Sequence, residues 1–144
     1  MTPPGLVVHA NRTEDVPVLE AADVERAVML TAGTEGIEDG EISITFLDSA
    51  AMAALNEAHL GQTGPTDVIA FNLAEPADPL GDVYICPAVA EESAREYGVE
   101  LREELLRLVV HGVLHVLGHD HPEGPGRTES EMFQRQEEIL SRIL

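Results

Sequence analysis

Apolar and polar positions along this chain fall into segments whose period switches between two and about 3.6, joined by short polar connections. The run Leu6, Val7, Val8 predicts a first strand over residues 6–10. Residues 20–31 set Ala22, Val24, Ala27, Val28 and Leu30 at helical spacings, with Gly33 and Gly36 as the stop. Ile42, Ile44 and Phe46 alternate with Ser43 and Thr45, which predicts a strand over 42–47. Asp48 then caps a helix over 49–59. A turn through Gly61, Gly64, Pro65 and Thr66 leads to a buried strand over 67–73, which ends near Pro76 and Pro79, and a further strand covers 81–86. Pro87 suits the first turn of a helix to residue 97, closed by Gly98. A long helix runs from 99 or 100 to 117, with Leu101, Leu105, Leu108 and Val109 as its apolar stripe and Gly118 as its stop. The last helix covers 128–144. There Thr128 and Glu131 have capping-box spacing, and Met132, Ile139, Leu140 and Ile143 can face a core. The alternation predicts an α/β (α+β) fold.

Length and composition narrow the picture without naming a chemistry. A chain of 144 residues, 44% hydrophobic and 24% charged, suits one domain over 1–144 with a core large enough to need no disulfide scaffold. The first fifteen residues lack a basic cluster followed by an apolar stretch, so no signal peptide is expected. No segment reaches the roughly 20 apolar residues of a membrane span. The single thiol, Cys86, fits a reducing compartment, and cytoplasm is the expected location. Charge is the outlying property. There are 27 acidic and 8 basic side chains, every basic one arginine, for a net charge of −19. Such a field repels nucleic acid at long range, so an RNA-related function must overcome that repulsion.

The residues that carry chemistry lie around the end of the long helix. His111 and His115 stand four apart, one helical turn, so their rings project from one face and can reach a single ion. Gly118 can adopt the left-handed conformation that reverses a chain, allowing His121 to return to the same face. Three neutral imidazoles with a fourth position open to water are the donor set of a catalytic zinc, whose bound water has a pKa of about 7. His119 competes with His121 for the third place, and Asp120 can orient a ligand ring or remain a solvated loop acid. The spacing of His111, His115, Gly118 and His121 matches the extended HExxHxxGxxH motif of metzincin peptidases, except that Gly112 occupies the glutamate position. Without that general base a peptidase is disfavoured.

The stretch HGVLHVLGHDH, from His111 to His121, resembles the HGxLHLxGYDH signature of the YbeY family of single-strand-specific endoribonucleases. The pair Leu55 and Asn56, the PTDVIAF run from Pro65 to Phe71 and GDVYIC from Gly81 to Cys86 match the same family in the same order. The resemblance implies a single domain with a central mixed sheet flanked by helices, and a metal site at the end of a long buried helix. It also implies one Zn²⁺ held by His111, His115 and His121, a cytoplasmic location, and a role in small-subunit rRNA 3′-end maturation and ribosome quality control. Where the family places Tyr and Arg after the Leu-Asn pair, this chain has His59 and Leu60, and no cation occurs between Arg26 and Arg95. An arginine there would suit a phosphate or the charge developing during cleavage. Arg107, one turn before His111, is the substitute by spacing, and His59 is a second candidate for substrate contact. Thr66 and Asp67 read as turn formers, and Cys86 as a small buried residue at a strand end.

The expected activity is cleavage of a phosphodiester in single-stranded RNA, by metal-activated hydroxide or by a ribose 2′-hydroxyl. No side chain is assigned as general acid or base. At −19, weak binding to free RNA is expected, with a basic ribosomal protein or an assembly GTPase delivering the substrate. Two alternatives stand beside it. One is a ribosome-associated zinc-binding module with reduced nuclease activity, motivated by Leu60; the other is a metal-dependent hydrolase of another substrate.

Overall fold

A computed structural model of the chain describes residues 5–12, 16–74, 79–119 and 131–144. Among these residues nine elements follow in the order β1 (Leu6–Arg12), α1 (Ala21–Thr34), β2 (Gly40–Phe46), α2 (Ser49–Leu60), β3 (Val68–Asn72), β4 (Leu80–Ile85), α3 (Pro87–Tyr97), α4 (Leu101–Val116) and α5 (Glu131–Ile143). The strands form one mixed sheet in the order β1-β2-β4-β3. β1 pairs parallel with β2, β2 parallel with β4, and β3 antiparallel with β4, with Val68 opposite Ile85 and Ala70 opposite Val83.

Strand alternation decides which side chains meet which helices. Ile42, Ile44 and Phe46 of β2 and Val83 and Ile85 of β4 point into the main core with Leu105, Val109, Val113 and Val116 of α4, and Val68 and Ala70 of β3 pack against it. The opposite face of β3 and β4, through Ile69, Phe71 and Tyr84, gathers with Met52 and Leu55 of α2 and with Cys86 in a smaller cluster. Cys86 is fully buried at the end of β4, as its position predicted.

Local chemistry explains the boundaries. Asp48 caps α2 by accepting a hydrogen bond from the Ala51 N–H at 2.8 Å, as the sequence predicts. Asn56, buried in α2, donates to the Gly64 carbonyl at 2.9 Å and pins the turn that leads into β3. Pro87 opens α3, and Gly118, at φ 99, turns the chain after α4. The predicted Thr128–Glu131 capping pair lies partly outside the described residues, since α5 is described from Glu131.

α4 packs on α1, α3, α5, β3 and β4, and so crosses the middle of the molecule. The sequence suggests an apolar stripe on this helix. The structure buries most of its circumference instead, because neighbours close on it from several sides.

Candidate functional site

From Glu104 to Val116, the residues of α4 that escape full burial are Arg107, His111 and His115. Their spacing of four places them on one face, and this face opens onto two adjoining cavities. The smaller, about 240 Å³, lies between His111, His115, the start of β3 and Leu60 at the end of α2. The larger, about 510 Å³, is bounded by Arg107, His111, Asp67, Tyr97, Phe133 and Gln136, among others. His111 borders both.

The two imidazoles meet edge to face, with ring centroids 4.7 Å apart and Nε2 atoms separated by 3.2 Å. On its other side the His111 ring meets Gln136 of α5, with Nδ1 and Oε1 at 2.6 Å. The Gln136 amide donates to Glu137 Oε2 at 3.0 Å. Arg107 donates to the same carboxylate twice, from Nε at 2.9 Å and from Nη2 at 3.1 Å. It also reaches Glu104 at 2.7 Å and Glu103 at 3.1 Å.

The carboxylates around Arg107 respond differently. Burial pushes Glu104 up, and its bond to Arg107 offsets only part of that effect. Burial also works against ionised Glu137, but the hydrogen bonds from Arg107 and Gln136 outweigh it and hold that carboxyl below its usual range. Arg107 pays for desolvation too, yet its three carboxylates raise it above its ordinary value.

The other sequence-predicted positions are placed as follows. Leu60 is 53% exposed at the mouth of the histidine cavity, so an arginine at this position would stand beside the imidazole pair. His59 packs edge-on against Phe71, centroids 5.3 Å apart. Asp67 accepts from the Val68 N–H at 2.7 Å and from the Thr66 hydroxyl, which is turn chemistry, while also bordering both cavities. His119 pairs with Glu35 at the end of α1, and Arg135 of α5 holds the same carboxylate at 2.7 Å. Asp120 and His121 lie outside the described residues. Among the described residues, no three His, Cys, Asp or Glu side chains are grouped to hold an ion. Gly112 faces away from the cavities and onto Val83 of β4, so a side chain at the metzincin glutamate position would enter the core instead of the site.

Gln136 and Glu137 were not singled out by the sequence. The available signal was Gln136 itself, a polar residue on the same helical face as Met132, Ile139, Leu140 and Ile143.

The sequence model of the family Endoribonuclease YbeY matches residues 9–144. The chain belongs to the YbeY family. A YbeY endoribonuclease from Bacillus licheniformis is 38% identical over 92% of this chain and 90% of its own length. Another from Beutenbergia cavernae is 45% identical over 72% of this chain and 75% of its own. The solution structure of a Thermotoga maritima protein superposes with a TM-score of 0.67 at 29% identity, covering 95% of this chain and 89% of the other. The fold expected from the resemblance, a single domain with a mixed sheet flanked by helices, is the one observed. YbeY membership places the chain among endoribonucleases, hydrolases of RNA phosphodiester bonds. No helix among the described residues is long and apolar enough to cross a membrane.

Proposed function

We propose that this YbeY chain is a zinc-dependent, single-strand-specific endoribonuclease of small-subunit rRNA 3′-end maturation and ribosome quality control, working in the cytoplasm. One Zn²⁺ per chain would be held by His111, His115 and His121. The observation that carries this reading is the pair of Nε2 atoms 3.2 Å apart on the open face of α4, in a member of an endoribonuclease family. The donors fit the ion: two nitrogens bound tetrahedrally at about 2.0–2.1 Å stand roughly 3.3 Å apart. When bound, the ion supplies Lewis-acid polarisation of the phosphodiester, activation of a nucleophile and stabilisation of developing charge.

The chain's own residues set the geometry around that position. Burial of α4 fixes both imidazoles, and the two cavities give a strand room on either side of His111. Arg107 and His59 are the proposed substrate contacts, from the wall of the larger cavity and from beside Leu60. Arg107 brings no spare positive charge, because it is matched by three carboxylates. Affinity for free RNA should therefore be low, and a basic ribosomal protein or an assembly GTPase is the proposed means of delivery.

The decisive experiment pairs metal stoichiometry on the purified protein with cleavage of ribosomal RNA, for the parent and for His115→Ala. Loss of both signals in the variant is expected. Equal cleavage by parent and variant would overturn the reading.

Exposed Leu60 beside the histidines favours a second reading, a ribosome-associated zinc-binding module with reduced nuclease activity. Leu60→Arg decides between them. A gain in cleavage of about tenfold or more, equivalent to about 1.4 kcal/mol of transition-state stabilisation, supports the reduced enzyme. Unchanged cleavage by an already active parent removes that reading.

A further inference from the structure

We propose that Gln136 is a positioning residue for the metal centre: its carboxamide oxygen fixes His111 as the tautomer that carries its proton on Nδ1 and turns the Nε2 lone pair toward His115. The inference rests on the zinc reading above and adds to it a residue on a different helix. Its basis is the polarity of a continuous chain of hydrogen bonds from α4 through α5 and back to α4.

The chain starts at Arg107, which can only donate. Its Nε and Nη2 hold the two oxygens of Glu137 at 2.9 and 3.1 Å, a two-pronged grip that keeps the carboxylate ionised and fixed in orientation. An ionised carboxylate can only accept, so the Gln136 group 3.0 Å from Glu137 Oε2 is the amide NH₂. The amide oxygen is then the atom turned to His111 Nδ1 at 2.6 Å, and being an acceptor it requires Nδ1 to carry the proton. Nε2 of the neutral ring is left with its lone pair, 3.2 Å from Nε2 of His115.

Gln136 is 4% exposed, so little of its amide is open to water. A ring held by such an outer partner is both oriented and made more basic toward an ion. The same arrangement gives a reason for a buried amide on the otherwise apolar face of α5. A Leu or Met there would pack as well but would leave Nδ1 of His111 without this acceptor.

The test compares Gln136→Met, similar in length but without the amide oxygen, with the exchange Gln136→Glu plus Glu137→Gln, which keeps both an acceptor for His111 and an amide donor between the two positions. Zinc affinity is measured by competition with a chromogenic chelator, and Co²⁺ substitution reports ligand geometry through its visible spectrum. The expected result is a loss of about 10- to 100-fold in affinity for Gln136→Met. The exchange should return affinity to near the parent value. Parent-like affinity in a folded Gln136→Met variant overturns the inference, as does an exchange variant as weak as the Met variant. A parent that binds no zinc overturns the metal reading and this inference together, which separates the two failures.

A measurement on the unsubstituted chain stands independently of whether the variants fold. Long-range ¹H–¹⁵N correlation of the metal-free parent, in alkaline buffer where the rings are neutral, should show His111 protonated on Nδ1. A proton on Nε2 overturns the inference.

Discussion

A methyl group added at Gly112 would stand 2.4 Å from Val83 Cγ1, and one added at Gly81 would stand 2.4 Å from Val116 Cγ1. Helix and strand thus approach each other at two reciprocal points, each a glycine against a valine. Gly112→Ala would gain about 1 kcal/mol of helix propensity but incur about 1–3 kcal/mol of overpacking against a buried β-branched side chain. Net destabilisation is expected, read as a lower urea midpoint, and adding Val83→Ala should restore part of it. The sequence alone showed that a catalytic glutamate was missing from this position. It could not show why, because the reason is a contact with a strand about thirty residues away. The same holds for His119: its spacing made it a rival ligand, whereas its partner Glu35 lies 84 positions distant.

Element boundaries were far more legible, since caps and breakers act locally. Asp48, Pro87, Gly98 and Gly118 mark ends within two residues of where they occur. What holds one element to another was less readable. Asp23 accepts from the Glu20 N–H at 2.9 Å, closing the first turn of α1, and from Arg102 of α4 at 3.2 Å. The backbone hydrogen bond, followed by Arg102 and Arg26, lowers its pKa from the ordinary 3.8 despite some cost of burial. A depressed carboxylate contributes stability that is present above its unfolded value and is lost as pH falls through its folded value. Asp23→Asn should therefore lower the thermal midpoint at neutral pH. The gap between parent and variant should close only below 3.8. Thermal scans of both proteins in steps across the acid range would show it, and a gap unchanged down to the acid limit would contradict the assignment.

For the molecule as a whole, the net charge of −19 must be carried by a domain of 144 residues. Self-repulsion of that size opposes compaction, and salt relieves it. Raising NaCl from about 0.01 M to about 1 M shortens the screening length from roughly 30 Å to roughly 3 Å. The thermal midpoint should rise by at least about 4 °C, the equivalent of roughly 1 kcal/mol for a chain of this length. A flat or falling midpoint would mean that ion pairs such as those around Arg107 outweigh the repulsion. Charge and fold class were both open to sequence reading; the balance between them depends on which carboxylates sit near an arginine.

Because α4 touches α1, α3, α5 and two strands, it cannot be exposed without dismantling most of the interior. Its backbone amides between residues 105 and 114 should exchange with deuterium only through global unfolding, while those of α2, which lies on the smaller cluster, open sooner. The imidazole pair is thereby mounted on the slowest-breathing part of the protein, and adaptation to differently shaped substrates falls to the surrounding walls.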